Sequence, residues 1–94
     1  IYFYATTGIL YNNKQILELM ENVNIQTSKG TEFFTDKLTY FVNDNILSSD
    51  DSISVEGNWG TLNGIGLIYN LENSTVIIKG RPQLSFYNIK DNIE

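Results

Sequence analysis

The sequence predicts an all-β fold assembled from repeated hairpin units, and three observations carry that prediction. Val, Ile, Thr, Tyr and Phe are abundant, whereas Ala occurs once and Pro82 is the only proline; β-branched and aromatic side chains suit a pleated, half-buried surface. Apolar residues alternate with polar ones in several short runs, the period of a strand with one covered face. An aliphatic residue, any residue and then tyrosine recur as Ile9-Leu10-Tyr11, Leu38-Thr39-Tyr40 and Leu67-Ile68-Tyr69, and the two intervals between the tyrosines are equal. A repeat of that length marks a supersecondary unit that must stack on its neighbours to bury its apolar face.

The elements follow in order. Tyr2-Phe3-Tyr4 places aromatic surface on both faces of a strand near the start of the chain. Ile9 and Tyr11 share a face of the next strand. Gln15–Glu21 fits helical spacing through Ile16, Leu17 and Met20, but Leu17 and Leu19 alternate equally well, and the repeat aligns the segment with the strand candidate Ile46-Ser48; a strand is the better reading. Leu38, Tyr40 and Val42 share one parity, as do Ile53 and Val55, then Ile65, Leu67 and Tyr69, then Val76 and Ile78, then Leu84 and Phe86. Turn-forming clusters separate these runs: Asn12-Asn13, Ser28-Lys29-Gly30, Asn43-Asp44-Asn45, Ser49-Asp50-Asp51, Gly57-Asn58, Asn63-Gly64 and Asn70–Asn73. Their spacing is that of an all-β sandwich or roll.

At 94 residues the chain makes one domain with a small core. Cysteine and histidine are absent, so no disulfide, thiolate metal site, cysteine nucleophile or imidazole base can be built from this chain. Six basic residues are scattered among eleven acidic ones, for a net charge of −5, which lacks the basic patch that nucleic acid requires. No apolar run approaches the roughly 20 residues of a membrane-spanning helix.

Asp50-Asp51, with Asp44 and Glu56 nearby, is the densest acidic stretch. It lacks the ligand spacing of a calcium loop, and neighbouring strand residues point to opposite faces, so it reads as a solvated turn. Carboxylate-based hydrolysis needs two such groups on one face of a cleft. Gly57–Gly66 holds four of the seven glycines and matches neither a phosphate-binding loop nor a dinucleotide fingerprint; these glycines read as bulges and bends, with Trp59 at a turn. The aromatics Tyr2, Phe3, Tyr4, Phe86 and Tyr87 expose more apolar surface than a terminal strand can bury, which points to a covering partner at the sheet edges.

Read as a whole, Thr35 to Ser85 resembles the LptC family of lipopolysaccharide-export proteins. Four features carry the resemblance in order: the strand Leu38-Thr39-Tyr40, Leu47-Ser48-Ser49-Asp50 before the Ile53–Val55 strand, Gly64-Ile65-Gly66-Leu67, and the polar turn Leu71–Thr75 leading to an apolar strand that ends at Gly80. The resemblance implies an open antiparallel β-jellyroll shaped as a V-like trough, spanning residues 1–94 as a single periplasmic domain, tethered to the inner membrane by a helix upstream of Ile1. It implies a non-enzymatic carrier without cofactors. Such a carrier receives lipopolysaccharide from an inner-membrane ABC transporter at its N-terminal edge and passes it to an LptA-like bridge protein at its C-terminal edge.

Joined to the strand alternation, the resemblance assigns the acyl-chain lining to Ile9, Tyr11, Leu17, Leu19, Val23, Ile25, Leu38, Tyr40, Ile53, Val55, Leu67, Tyr69, Val76, Ile78, Leu84 and Phe86. It assigns the partner edges to Tyr2, Phe3 and Tyr4 on one side and Leu84, Ser85, Phe86 and Tyr87 on the other. Two alternatives stand beside it: a soluble LptA-like bridge subunit, and a scaffold that assembles through its edge strands around an ordinary core.

Overall fold

The computed structural model describes residues 1–87. Its strands are β1 (Tyr2–Tyr4), β2 (Thr7–Tyr11), β3 (Ile16–Gln26), β4 (Glu32–Phe41), β5 (Ile46–Gly57), β6 (Gly60–Asn70) and β7 (Thr75–Phe86). All pair antiparallel in one sheet of order β1-β3-β4-β5-β6-β7, with β2 also on β3. The sheet does not close on itself, and the fold is an open antiparallel β-jellyroll. Gln15–Glu21 falls largely within β3, as the alternation predicts.

The repeat is visible as three hairpins, β2–β3, β4–β5 and β6–β7. Each turns through four residues whose last member, Gln15, Asn45 or Ser74, has a left-handed backbone with φ of 54°, 55° and 59°. The turns are chained to one another: Val42 N donates to Gln15 O at 3.0 Å and Leu71 N to Asn45 O at 2.9 Å. Each unit therefore caps the backbone of the one before it, which a tandem stack requires.

A line of irregularities crosses the sheet between its two ends. The β3–β4 register shifts between Met20 and Val23, where Glu21 and Asn22 both have positive φ. The shift recurs between Thr35 and Thr39, between Ser49 and Ser52, and between Asn63 and Ile65. Gly66 and Arg81 add left-handed residues on β6 and β7, with φ of 83° and 51°. Bulges bend and twist the strands that hold them, and here they align into a crease that folds the sheet onto itself. Two of the predicted turns lie on this line: Ser49-Asp50-Asp51 sits inside β5 and Asn63-Gly64 inside β6. These residues relax the backbone without reversing it.

The crease divides the sheet into two arms. The first contains β2, the hairpin ends of β4 and β6, and the starts of β3, β5 and β7; the second contains β1 and the remaining halves. Leu19, Leu38, Leu47 and Leu67 from the first arm pack with Val23, Ile25, Phe33, Ile53 and Val55 from the second to form the core. Among the described residues the buried polar side chains are Thr35 and Ser49, both beside the crease. Thr35 Oγ1 donates to Ser52 O at 2.8 Å, its hydroxyl lies 3.2 Å from Ser49 Oγ, and Ser49 Oγ accepts from Asp51 N at 3.2 Å. The bulge in β5 thus keeps its hydrogen bonds although it leaves the ladder.

Candidate functional site: the inner face and its open end

Directly paired strand residues point to the same face, so the register shows which side chains look inward. In the first arm one row runs Leu10, Leu17, Tyr40, Leu47, Tyr69, Val76. In the second arm the matching row runs Phe3, Ile25, Phe33, Val55, Leu62, Leu84. Two stacked ring pairs join the arms: Phe3 with Tyr40 at 5.4 Å and Phe33 with Tyr69 at 5.0 Å between centroids. Both pairs connect places two apart in the rows, the first with the third and the third with the fifth. The arms are therefore staggered by two strands.

Stagger leaves each row with an uncovered end. At the β2 edge Leu10 is 57% exposed, and at the β7 edge Leu84 is 53% exposed, although both face inward; Val76, the last place of the first row, also faces inward and is 38% exposed on the edge strand. Phe86, paired with Gly60, also faces inward and is exposed. Buried apolar side chains fill the middle of the interior, so it is dry there and open at its margins.

The register corrects part of the expected lining. Ile9 pairs with Glu18 and Tyr11 with Ile16, so both project from the outer face, and Leu10 takes the inward place. Tyr11 is exposed, and its phenol is pushed above its ordinary value by hydrogen bonding and charge from Glu18 on that same face. The equal tyrosine spacing conceals this change, because the hairpin turns are not equally spaced: the step from Gln15 to Asn45 is one residue longer than the step from Asn45 to Ser74. Only Tyr40 and Tyr69 are equivalent; both are half-buried against the core, and the Tyr40 hydroxyl donates to Asn45 Oδ1 at 3.3 Å. Ile65, expected to share a face with Leu67 and Tyr69, is turned outward by the break at Gly66 and is 42% exposed.

Of the other predicted lining residues, Leu19, Val23, Ile25, Leu38, Ile53, Val55 and Leu67 are buried in the core, and Leu17, Tyr40, Tyr69 and Ile78 pack against it. Val76, Leu84 and Phe86 stand exposed on the inward side of β7. Among the predicted edge residues, Phe3 turns inward, while Tyr2, Tyr4, Ser85 and Tyr87 are exposed. Asp50 lies on the outer surface, where Lys79 holds its carboxyl below the ordinary value through a 2.7 Å contact and its charge. Asp44 and Glu56 are exposed and Asp51 is half-buried.

A cleft of about 500 Å³ opens where the β7 side of the stagger leaves the interior uncovered. Phe33, Val55 and Leu62 of the second arm and Tyr69 and Val76 of the first face into it, with Trp59 and Leu71 beside them. Its polar margin is Ser74 and the Thr27–Thr31 turn, including Lys29. The Trp59 ring meets that of Phe86 edge-on at 6.4 Å, and the absence of a side chain on Gly57 makes room for the indole, whose Nε1 lies 2.5 Å from where a Cβ would stand. Sequence reasoning missed Phe33, Leu62, Leu71 and Trp59 as lining residues. Leu62 precedes the crease, where parity changes, and Trp59 reaches the cleft from a turn, outside any alternation.

Among curated proteins, none matches the chain. The family model described as "Lipopolysaccharide-assembly, LptC-related" matches residues 3–83, a span that covers β1 through most of β7 and both inward rows up to Gln83. The chain belongs to the LptC-related lipopolysaccharide-assembly family.

Proposed function

We propose that this domain is a non-enzymatic lipopolysaccharide carrier that holds acyl chains at the uncovered margin of its inner face and passes them on along a periplasmic bridge. The observation that carries this reading is the set Val76, Leu84 and Phe86, apolar, inward-facing and exposed on β7, whose far edge is unpaired among the described residues. An exposed apolar patch of this kind marks a binding surface, and an open edge invites strand addition. The edge formed by β1 and β2 receives the glycolipid from the inner-membrane ABC transporter. The β7 edge is continued by an LptA-like bridge protein, whose sheet extends both arms and covers the stagger. The setting is the periplasm, with a tether to the inner membrane through a helix upstream of Ile1.

Within this reading the buried set from Leu19 to Leu67 is the wall that keeps the arms apart, and contact with acyl chains falls on Tyr69, Val76, Ile78, Leu84 and Phe86. A photo-crosslinking residue placed at Tyr69 or Val76 captures lipopolysaccharide, whereas one at the outward Ile9 does not. Equal capture at all three positions, or at none, refutes the carrier role.

A further inference from the structure

The size of the cleft and the charge on its margin narrow what it can hold. If a methylene takes the ~30 Å³ share of a water molecule, a cleft of about 500 Å³ admits on the order of 16 carbons. That is one acyl chain, far short of a glycolipid's full set. The cleft floor is apolar, with Phe33 and Tyr69 stacked across the two arms at 5.0 Å, so the side wall cannot spread without separating those rings.

Among the described residues lining the cleft, Lys29 alone carries a charged side chain, and Ile1 lies on the same margin. Its turn is fixed by three hydrogen bonds: Thr27 N to Thr31 O at 2.9 Å, Gly30 N to Thr27 O at 3.1 Å and Thr31 N to Thr27 Oγ1 at 3.2 Å. Gly30 has the left-handed φ of 85° that this turn needs. Lys29 is exposed, and the salt bridge found among the described residues is Lys79–Asp50 on another part of the surface. A cation held at the mouth of an apolar cleft, on a chain of net charge −5, selects an anionic head group on the molecule whose tail enters the cleft.

We infer that this cleft is a single-chain site: it takes one acyl chain at a time, from a lipid whose phosphate or carboxylate is bound at Lys29. The inference rests on the carrier reading and sharpens it. A multi-chain glycolipid engages each domain through one tail, and its remaining tails lie along the uncovered β7 face or in the next domain.

Calorimetric titration with fatty-acid carboxylates of 8 to 18 carbons, each below its micelle concentration, tests the inference. Affinity rises about fourfold per methylene and levels off near 14–16 carbons, the capacity of the cleft, at one chain per domain. Tetradecanol, uncharged, binds more weakly than myristate. Lys29→Gln weakens myristate about fivefold and leaves tetradecanol unchanged. Leu62→Trp, which adds volume to the lining, moves the plateau to shorter chains, and circular dichroism reports whether each variant retains its strands. Affinity that keeps rising through 18 carbons overturns the size limit, and a Lys29→Gln effect equal for both ligands overturns the head-group site. Captured lipopolysaccharide that myristate cannot displace overturns the inference while leaving the carrier reading in place; binding of neither ligand overturns both.

Discussion

Phe33 and Tyr69 stack at 5.0 Å between ring centroids although β5 lies between their strands and they belong to opposite arms. This contact, with Phe3 on Tyr40, fixes how far one arm is displaced across the other and hence which inward side chains remain uncovered. Phe33 is fully buried, so removing its ring outright to Ala costs about 3–5 kcal/mol, a large part of the ~5–15 kcal/mol that holds a domain folded. The milder pair Phe33→Leu and Tyr69→Leu suits a double-mutant cycle in urea. We expect a coupling of about 0.5–1.5 kcal/mol beyond the single losses, and additive losses would show that the arms are not held by this pair.

The crease makes an opposite pair of predictions for glycine. Gly66 has φ of 83°, and a Cβ there would sit 2.9 Å from Lys79 Cδ and 3.0 Å from Lys79 Cβ; Gly66→Ala loses at least about 1–2 kcal/mol through the left-handed backbone, and the Lys79 Cβ, fixed to β7, adds to that loss. Arg81 holds φ of 51° with a side chain, so Arg81→Gly is neutral or gains up to about 1 kcal/mol. Thermal unfolding of the two variants should therefore move in different directions. Equal destabilisation would mean that Arg81 contributes packing that outweighs its backbone conformation.

Lys79 reaches Asp50 by lying across the bare Cα of Gly66, and this link gives the surface a measurable pH response. The Asp50 carboxyl is held below its ordinary 3.8 by the hydrogen bond and charge of Lys79. A depressed folded value means that the favourable contribution is present above the unfolded value and disappears as pH falls through the folded one. Both partners are reached by solvent, so salt weakens the effect. Carboxyl NMR titration should place the Asp50 midpoint below its ordinary value in low salt, and Lys79→Met should return it toward that value. An unchanged midpoint in that variant would remove the ion pair from the account.

Alternation located the strands and much of the core because Leu17, Leu19, Val23 and Ile25, or Ile53 and Val55, repeat at even intervals despite the bulges; it did not single out Phe33 or Leu47, which the structure also buries. It failed where one residue is gained or lost. Because the first interval between hairpin turns is one residue longer than the second, Tyr11 matches Tyr40 by count while Leu10 matches it by register. Turn-forming Ser49-Asp50-Asp51 and Asn63-Gly64 carry the right local preference, a relaxed or left-handed backbone, but pairing on both sides holds them in the sheet, where they bend it. The stagger of the arms was not legible at all, because it depends on which rings meet across the interior, and no local pattern records a contact between β4 and β6. The cleft inherits that blindness, since Trp59 and Leu62 line it only because the second arm overhangs.

Inward-facing residues on the two sides of the stagger should respond differently to a buried charge. Leu67 has no exposed surface and Leu84 is 53% exposed, although each pairs inward within its own arm. An aspartate at 67 must shed its hydration without a partner, a penalty larger than the marginal stability of a small domain, and Leu67→Asp should fail to fold cooperatively. Leu84→Asp keeps its carboxylate in water, so its stability should stay within about 0.5 kcal/mol of the parent, as for other surface substitutions, and the melting temperature should change little. The same carboxylate stands beside the path proposed for acyl chains and repels an anionic glycolipid, so lipopolysaccharide capture should fall sharply in a protein that is otherwise intact. Full capture by folded Leu84→Asp would assign the exposed β7 face to strand pairing alone and remove it from the acyl-chain site.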